Sequence, residues 1–305
     1  MADLGLVFGF AHTPYLFGLP SMWPQIRERI RMGKALRKDL TRETQEELES
    51  KYQRAMRAFS RLREWIEESQ PDAMILIGDD QKEIFKSYVA GFTVYTGAQV
   101  VGKKYPGRVR EVTGNKELIR VAGHQELAQE VARGMARAGF DIAFFDEPEN
   151  KEDGFGHAFV PPLGYLTPRL DLPVIPILVN CYYPPQPPAE RCYRFGVALR
   201  NILNEVKMVR RLVVGVSGGL WHTPGWKDAT IDEKFDRQVL EYLASGRGRS
   251  LGELSEEILV SGTGEVRNWI VGAGIAGDKK WEIIDYVPLY YSPIGMGFGG
   301  CLLRE

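Results

Sequence analysis

The chain has 305 residues, 44% hydrophobic and 26% charged, with a formal net charge of -1. That is enough apolar material for one large core, and the balanced charge excludes the broad basic field that nucleic acid or an anionic membrane surface would need. Cys181, Cys192 and Cys301 form no C-x-x-C pair, and their odd number points to free thiols in a reducing compartment, the cytoplasm.

The sequence opens on LGLVFGFAHTPYLFGL. No basic residues precede this apolar run, and His12 and Pro14 interrupt it well short of a membrane span. It therefore predicts a buried first strand that delivers His12 to its end. The densest basic stretch, QIRERIRMGKALRKDL, carries Arg27, Arg29, Arg31, Lys34, Arg37 and Lys38 without interleaved aromatics. That pattern reads as a solvated or subunit-facing helix instead of a nucleic-acid patch.

The clearest helix starts at TQEE, where Thr44 and Glu47 form a capping box. Leu48, Tyr52, Met56, Phe59, Leu62 and Ile66 then recur at steps of three or four along one face. AMILIGDDQKEIF follows, and its residues 74–77 read as a buried strand closed by Gly78. Asp79, Asp80 and Gln81 come at once where the chain leaves the sheet, and two carboxylates with an amide there mark a metal or substrate site. Apolar, β-branched runs recur at 4–10, 73–78, 141–145, 174–180, 211–216 and 282–290. Helical patterns lie between several of them, including GHQELAQEVARGMARAGF, which ends at Gly139. The alternation predicts an α/β fold with a sheet covered by helices. No repeat, low-complexity tract or long linker divides residues 1–305, so a single domain is expected.

Two motifs are declined. GVSGG (Gly215, Ser217, Gly219) fits a nucleophile elbow, but Pro224 follows too soon for a helix and the only later histidine is His222. Its glycines are better read as a sharp turn beside a site. GAGIAG (Gly272, Gly274, Gly277) matches a dinucleotide fingerprint, yet DKKWEIIDYV after it reads as a turn and a strand.

Only four histidines occur: His12, His124, His157 and His222. His12 and His222 come directly off apolar strands, as Gln81 does, and ligands gather outside the carboxyl ends of strands in an open α/β sheet. These three are expected to converge, whereas His124, at a helix start, reads as structural.

At these residues the chain resembles the class III extradiol ring-cleavage dioxygenases. AHTP resembles their N-terminal S-H-x-P, and GHQELA a G-H-P-x-L-A helix start. GHAFVPPL resembles the substrate-lining D-H-G-x-x-x-P-L, and NCYYPPQPPAERCYRFGVAL a proline-rich N-x-x-x-x-P-P-P stretch. GVSGGLWH is similar to G-S-G-G-x-S-H, and GEVRNW to the E-x-x-x-W segment, with Glu265 and Trp269. The six segments occur in the family's order and cover nearly the whole chain.

The resemblance implies a central mixed sheet flanked by helices, with a helical insertion at about 20–68 that covers the site. It implies Fe(II), or Mn(II) or another divalent metal, opening the ring of a catechol-type aromatic substrate with O2. His12 and Glu265 would hold the metal, His222 would be the acid/base, and His157 would hydrogen-bond substrate or oxygen. Trp221, where the family has a small serine, would shape the substrate pocket. The family's second ligand histidine falls on Gln81. Either Gln81 offers its carbonyl oxygen, or Asp80 or Asp79 reaches the metal, or the chain is a non-catalytic or differently reacting relative. A homodimer or a small lid subunit is expected as partner, and neither nucleic acid nor membrane.

Overall fold

The computed structural model describes residues 2–32, 42–87, 89–223 and 229–303. Lys34, Arg37, Lys38 and Pro224 lie outside the described residues. The strands are β1 (Asp3–Phe10), β2 (Ala73–Gly78), β3 (Phe92–Tyr95), β4 (Gln99–Lys103), β5 (Leu118–Ala122), β6 (Ala143–Phe145), β7 (Val174–Val179), β8 (Arg211–Ser217), β9 (Glu282–Leu289) and β10 (Ile294–Leu302). The helices are α1 (Trp23–Arg31), α2 (Gln45–Ser69), α3 (Gly107–Thr113), α4 (Gln125–Arg137), α5 (Val160–Leu166), α6 (Ala189–Glu205), α7 (Glu233–Ala244) and α8 (Val266–Ala276).

Eight strands make one mixed sheet in the order β6-β3-β7-β2-β8-β1-β10-β9, while β4 and β5 form a separate antiparallel pair. β7, β2, β8 and β1 run parallel, so their carboxyl ends share one edge. Both faces are covered, which is why these strands read as continuous apolar runs. Side-chain alternation sends Phe8, Phe10, Met74, Leu76 and Val213 to a core shared with α1, α2, α3 and α5. Val7, Ile75, Ile77, Val214 and Val216 face the opposite core, built with α4, α6, α7 and α8.

Local signals set the ends of the helices. Thr44 and Glu47 cap α2 reciprocally, and the helix lies along the sheet face against β1, β9, β10 and α5. The described arginines of the basic stretch are engaged within the chain. Arg31 pairs with Glu28 at 2.6 Å, Arg29 with Glu111 at 3.8 Å, and Arg27 stacks over Tyr291 at 3.7 Å.

The GAGIAG segment ends α8, and β9 follows it. A Cβ on Gly274 would lie 2.2 Å from the Tyr193 carbonyl, so this glycine lets α8 meet α6 backbone to backbone. Gly277 turns the chain out of the helix at φ +64. Among the described residues, no helix is long and apolar enough to cross a membrane.

Candidate metal centre

The parallel strands deliver the site. His12 follows β1, Asp79 to Gln81 follow β2, Tyr182 follows β7, and Ser217 ends β8 ahead of Trp221 and His222. Glu265 stands at the N-cap position of α8, whose amino end packs beneath the same edge.

The tautomer of His12 follows from its neighbours. Its Nδ1 lies 2.9 Å from Ser217 Oγ, and that hydroxyl donates to the Ala158 carbonyl at 2.6 Å. A hydroxyl has one proton, so Nδ1 must be the donor to Ser217, and in the neutral imidazole Nε2 then holds the lone pair. His12 Nε2 is buried without a hydrogen-bond partner, 3.4 Å from Glu265 Oε2 and 3.9 Å from Asp79 Oδ1. One ligand atom from each of His12, Asp79 and Glu265 falls within 4.8 Å of the others, and all three residues are buried. Electron-rich atoms facing one another in a dry site repel, and a divalent cation among them removes the conflict. The donor set fits such an ion.

The carboxylates are held from outside. Tyr182 Oη and Gln81 Nε2 both donate to Glu265 Oε1, the latter at 3.1 Å, and the Gly219 N–H donates to Oε2. Burial opposes the charge of Glu265, but His222, His12 and the Tyr182 hydroxyl hold it well below the usual carboxylate range. Asp79 accepts from Asn268 Nδ2 at 3.2 Å and from Gln81 Nε2 at 3.4 Å. Burial, then the neighbouring Glu265 charge, pushes Asp79 up to about 7. Asp80 faces elsewhere. Its oxygens accept the backbone N–H groups of Glu83, Ile84 and Phe85 at 2.9, 2.9 and 3.0 Å, so it holds the loop while Asp79 turns to His12.

Two further histidines flank the trio. The His157 ring stands edge-on to His12 with centroids 4.8 Å apart, and its Nδ1 lies 2.6 Å from Glu83 Oε2. Burial works against a charge on His157, yet Glu83 overrides it and raises the imidazole to about 9, making it a cation at neutral pH. His157 and Glu83 border a cavity of about 190 Å³ that also meets Lys82, Lys103 and Tyr105. His222 differs. Its Nδ1 lies 3.3 Å from Tyr182 Oη and 3.5 Å from Glu265 Oε1, while Nε2 is buried without a partner. Burial, against the pull of Glu265, lowers its pKa below the ordinary imidazole value and so favours the neutral ring. Trp221, next to it, buries its indole N–H without a partner. His124 caps α4, accepting from the Leu127 N–H at 3.4 Å.

The predicted convergence of His12, Gln81 and His222 is what the strands produce. Sequence reasoning missed Tyr182, Glu83, Asn268 and the bond from Ser217 to His12. Ser217 was visible in GVSGG only as part of a turn, and no periodicity marks the others.

A family model described as the catalytic LigB subunit of aromatic ring-opening dioxygenase matches residues 40–298. A gallate dioxygenase of Pseudomonas putida is 27% identical over 202 residues, 62% of this chain and 56% of that protein. A 2,3-dihydroxyphenylpropionate/2,3-dihydroxicinnamic acid 1,2-dioxygenase of Klebsiella pneumoniae is 26% identical over 174 residues, 55% of this chain and 49% of the other. The matches thus span about half the length of these relatives. An uncharacterised protein of Escherichia coli K12 shares the fold, with a TM-score of 0.59 at 14% identity, over 97% of this chain and 99% of that one. With the family model matched over most of its length, this chain belongs to the LigB family of aromatic ring-opening dioxygenase catalytic subunits.

Proposed function

We propose that the protein is a metal-dependent oxygenase that opens the ring of a catechol-type aromatic with O2. The observation that carries this is the unpartnered His12 Nε2 facing two buried carboxylates, with the unpartnered His222 Nε2 beside them. His12 and Glu265 hold the metal and Asp79 completes the set, with Gln81 bridging the two carboxylates and Asp80 fixing their loop. Fe(II) is the cofactor of this reading. The second carboxylate also suits Mn(II), because hard oxygen ligands favour harder ions. When bound, the metal supplies open positions for the catechol oxygens and O2 and passes charge between them.

The chain's own groups do the rest. Neutral His222 takes a proton from a catechol hydroxyl at Nε2. Cationic His157 donates a hydrogen bond to a substrate oxygen, and Trp221 narrows the space beside the base. The one-histidine, two-carboxylate set favours a second reading, a family member that binds metal but performs a different reaction. The whole is read as one cytoplasmic domain, residues 20–68 included, that pairs with a second copy or a small lid subunit.

The test is metal analysis of protein purified without added metal, then anaerobic Fe(II) loading and oxygen uptake with a panel of catechols. Bound metal with ring cleavage, both lost in His12→Ala, is the expected result. Bound metal without oxygen uptake would favour the second reading, and no metal uptake would overturn both.

A further inference from the structure

Glu265 is held asymmetrically. Two side chains from two different strand ends, Tyr182 after β7 and Gln81 after β2, donate to the same oxygen, Oε1. Among the described residues, the other oxygen, Oε2, accepts from no side chain, only from the Gly219 backbone N–H, and is the one turned to His12 Nε2, 3.4 Å away. Gln81 spends its second amide proton on Asp79 Oδ2 at 3.4 Å, so its nitrogen faces both carboxylates. Two carboxylates offer only acceptors, which makes this the amide orientation the site demands. Tyr182 gives its one proton to Glu265, so its oxygen is left to accept from His222 Nδ1 at 3.3 Å. The same hydroxyl therefore also directs the Nδ1 proton of His222 inward and leaves Nε2 as the basic nitrogen.

From this geometry we infer that Tyr182 and Gln81 are positioning residues that clamp Glu265 Oε1. The glutamate then meets the metal through Oε2 alone, and Gln81 is a bridge between carboxylates instead of a ligand. The inference rests on the metal reading above and adds to it a role for the residue that stands in the second-histidine position. It also explains how imidazole can be absent there: Asp79 supplies the third donor atom, and the amide keeps two adjacent carboxylates apart.

The test uses Co(II) as a spectroscopic probe in the full chain, comparing wild type with Tyr182→Phe and Gln81→Met. Both changes keep side-chain bulk and remove the donors. Circular dichroism and thermal melting confirm that each variant is folded. Release of Oε1 lets Glu265 bind through both oxygens, which raises the coordination number, and Co(II) absorbs visible light less as that number rises. The expected result is a loss of visible absorption per bound Co(II) in both variants. Unchanged or stronger absorption in Gln81→Met would overturn the clamp, because losing an amide ligand lowers the coordination number or lets water replace it. Unchanged absorption in Tyr182→Phe would also overturn it. Those outcomes leave the metal reading standing, whereas no Co(II) uptake by the wild type overturns that reading and the clamp with it.

Discussion

The two ends of the parallel strands make an instructive contrast. At the amino ends of β2 and β8 lies a cleft of about 700 Å³ lined by Gln70, Asp72, Thr167, Arg169, Asp171 and Arg211, among others. Most of its charges have close partners, although Arg211 buries its Nε without one. Asp72 accepts from the Arg210 and Arg211 N–H groups at 2.8 and 2.9 Å, and Arg169 pairs with Asp171 at 3.0 Å. At the carboxyl ends of the same strands, His12, Asp79 and Glu265 are buried and crowd one another, and two imidazole nitrogens lack partners. Volume measures where a ligand would fit. Unmet bonding capacity in a dry place measures where the fold has accepted a cost, and such costs concentrate at functional sites.

The contrast predicts a graded series. The largest effect belongs to the base: His222→Ala should lower turnover of a confirmed catechol by about 10²–10⁴-fold while leaving metal content and melting temperature unchanged. Metal loss in that variant would make His222 a ligand and erase the division of labour between the histidines. Next, Ser217→Ala frees His12 Nδ1 and should weaken metal binding about 10–100-fold, read by competition with a chelator. An unchanged affinity would mean that the Ser217 bond does not set the His12 tautomer.

A third experiment asks whether a perturbed carboxyl by itself marks the site. Asp236 on α7 is fully buried away from the trio, with one oxygen taken by the Tyr286 hydroxyl at 2.6 Å and the other unpartnered. Burial raises it from 3.8 to about 7. The folded state therefore holds this proton more tightly than the unfolded chain. The resulting stability is complete below about pH 4 and is lost as pH rises through 7. Asp236→Asn keeps an acceptor for Tyr286 and never ionises, so it should stabilise the protein at pH 8. The net gain is about 1–2 kcal/mol after the cost of a buried amide, measured by denaturant unfolding. Metal uptake should stay unchanged, and a loss of metal would tie Asp236 to the site. The smallest effect is expected in the amino-end cleft, where Arg169→Ala should change stability by no more than about 0.5 kcal/mol and metal uptake not at all. A fall in metal uptake or turnover there would break the contrast.

Much of the scaffold was legible because its signals are local. The runs that became β1, β2, β7 and β8 are largely apolar on both faces, and α2 carries its own cap and stripe. β10 was not legible, since IGMGFGGCL is glycine-rich and looks like a loop. It is a strand because it pairs with β1 and β9, and its glycines make room for neighbours. A Cβ on Gly295 would lie 1.8 Å from Asp236 Oδ2, and one on Gly300 would lie 2.9 Å from the Trp65 ring.

The site divides in the same way. Residue type and position after a strand were enough to single out His12, His222 and the triplet Asp79-Asp80-Gln81, because strand ends are where an open parallel sheet leaves room for ligands. Their division of labour needed tertiary structure. Neighbouring residues leave a strand in different directions, and each carboxylate goes to whichever donors reach it. For Asp80 those are the backbone N–H groups of residues 83–85, nearby in the chain. For Asp79 they are Asn268, 189 positions away, and Gln81. The His12 tautomer likewise depends on Ser217, 205 positions on, and the Glu265 clamp on Tyr182 and Gln81. Hydrogen bonds between residues so far apart leave no period or spacing in the chain, and only the packing of β7, β2, β8 and β1 against α8 brings the partners together.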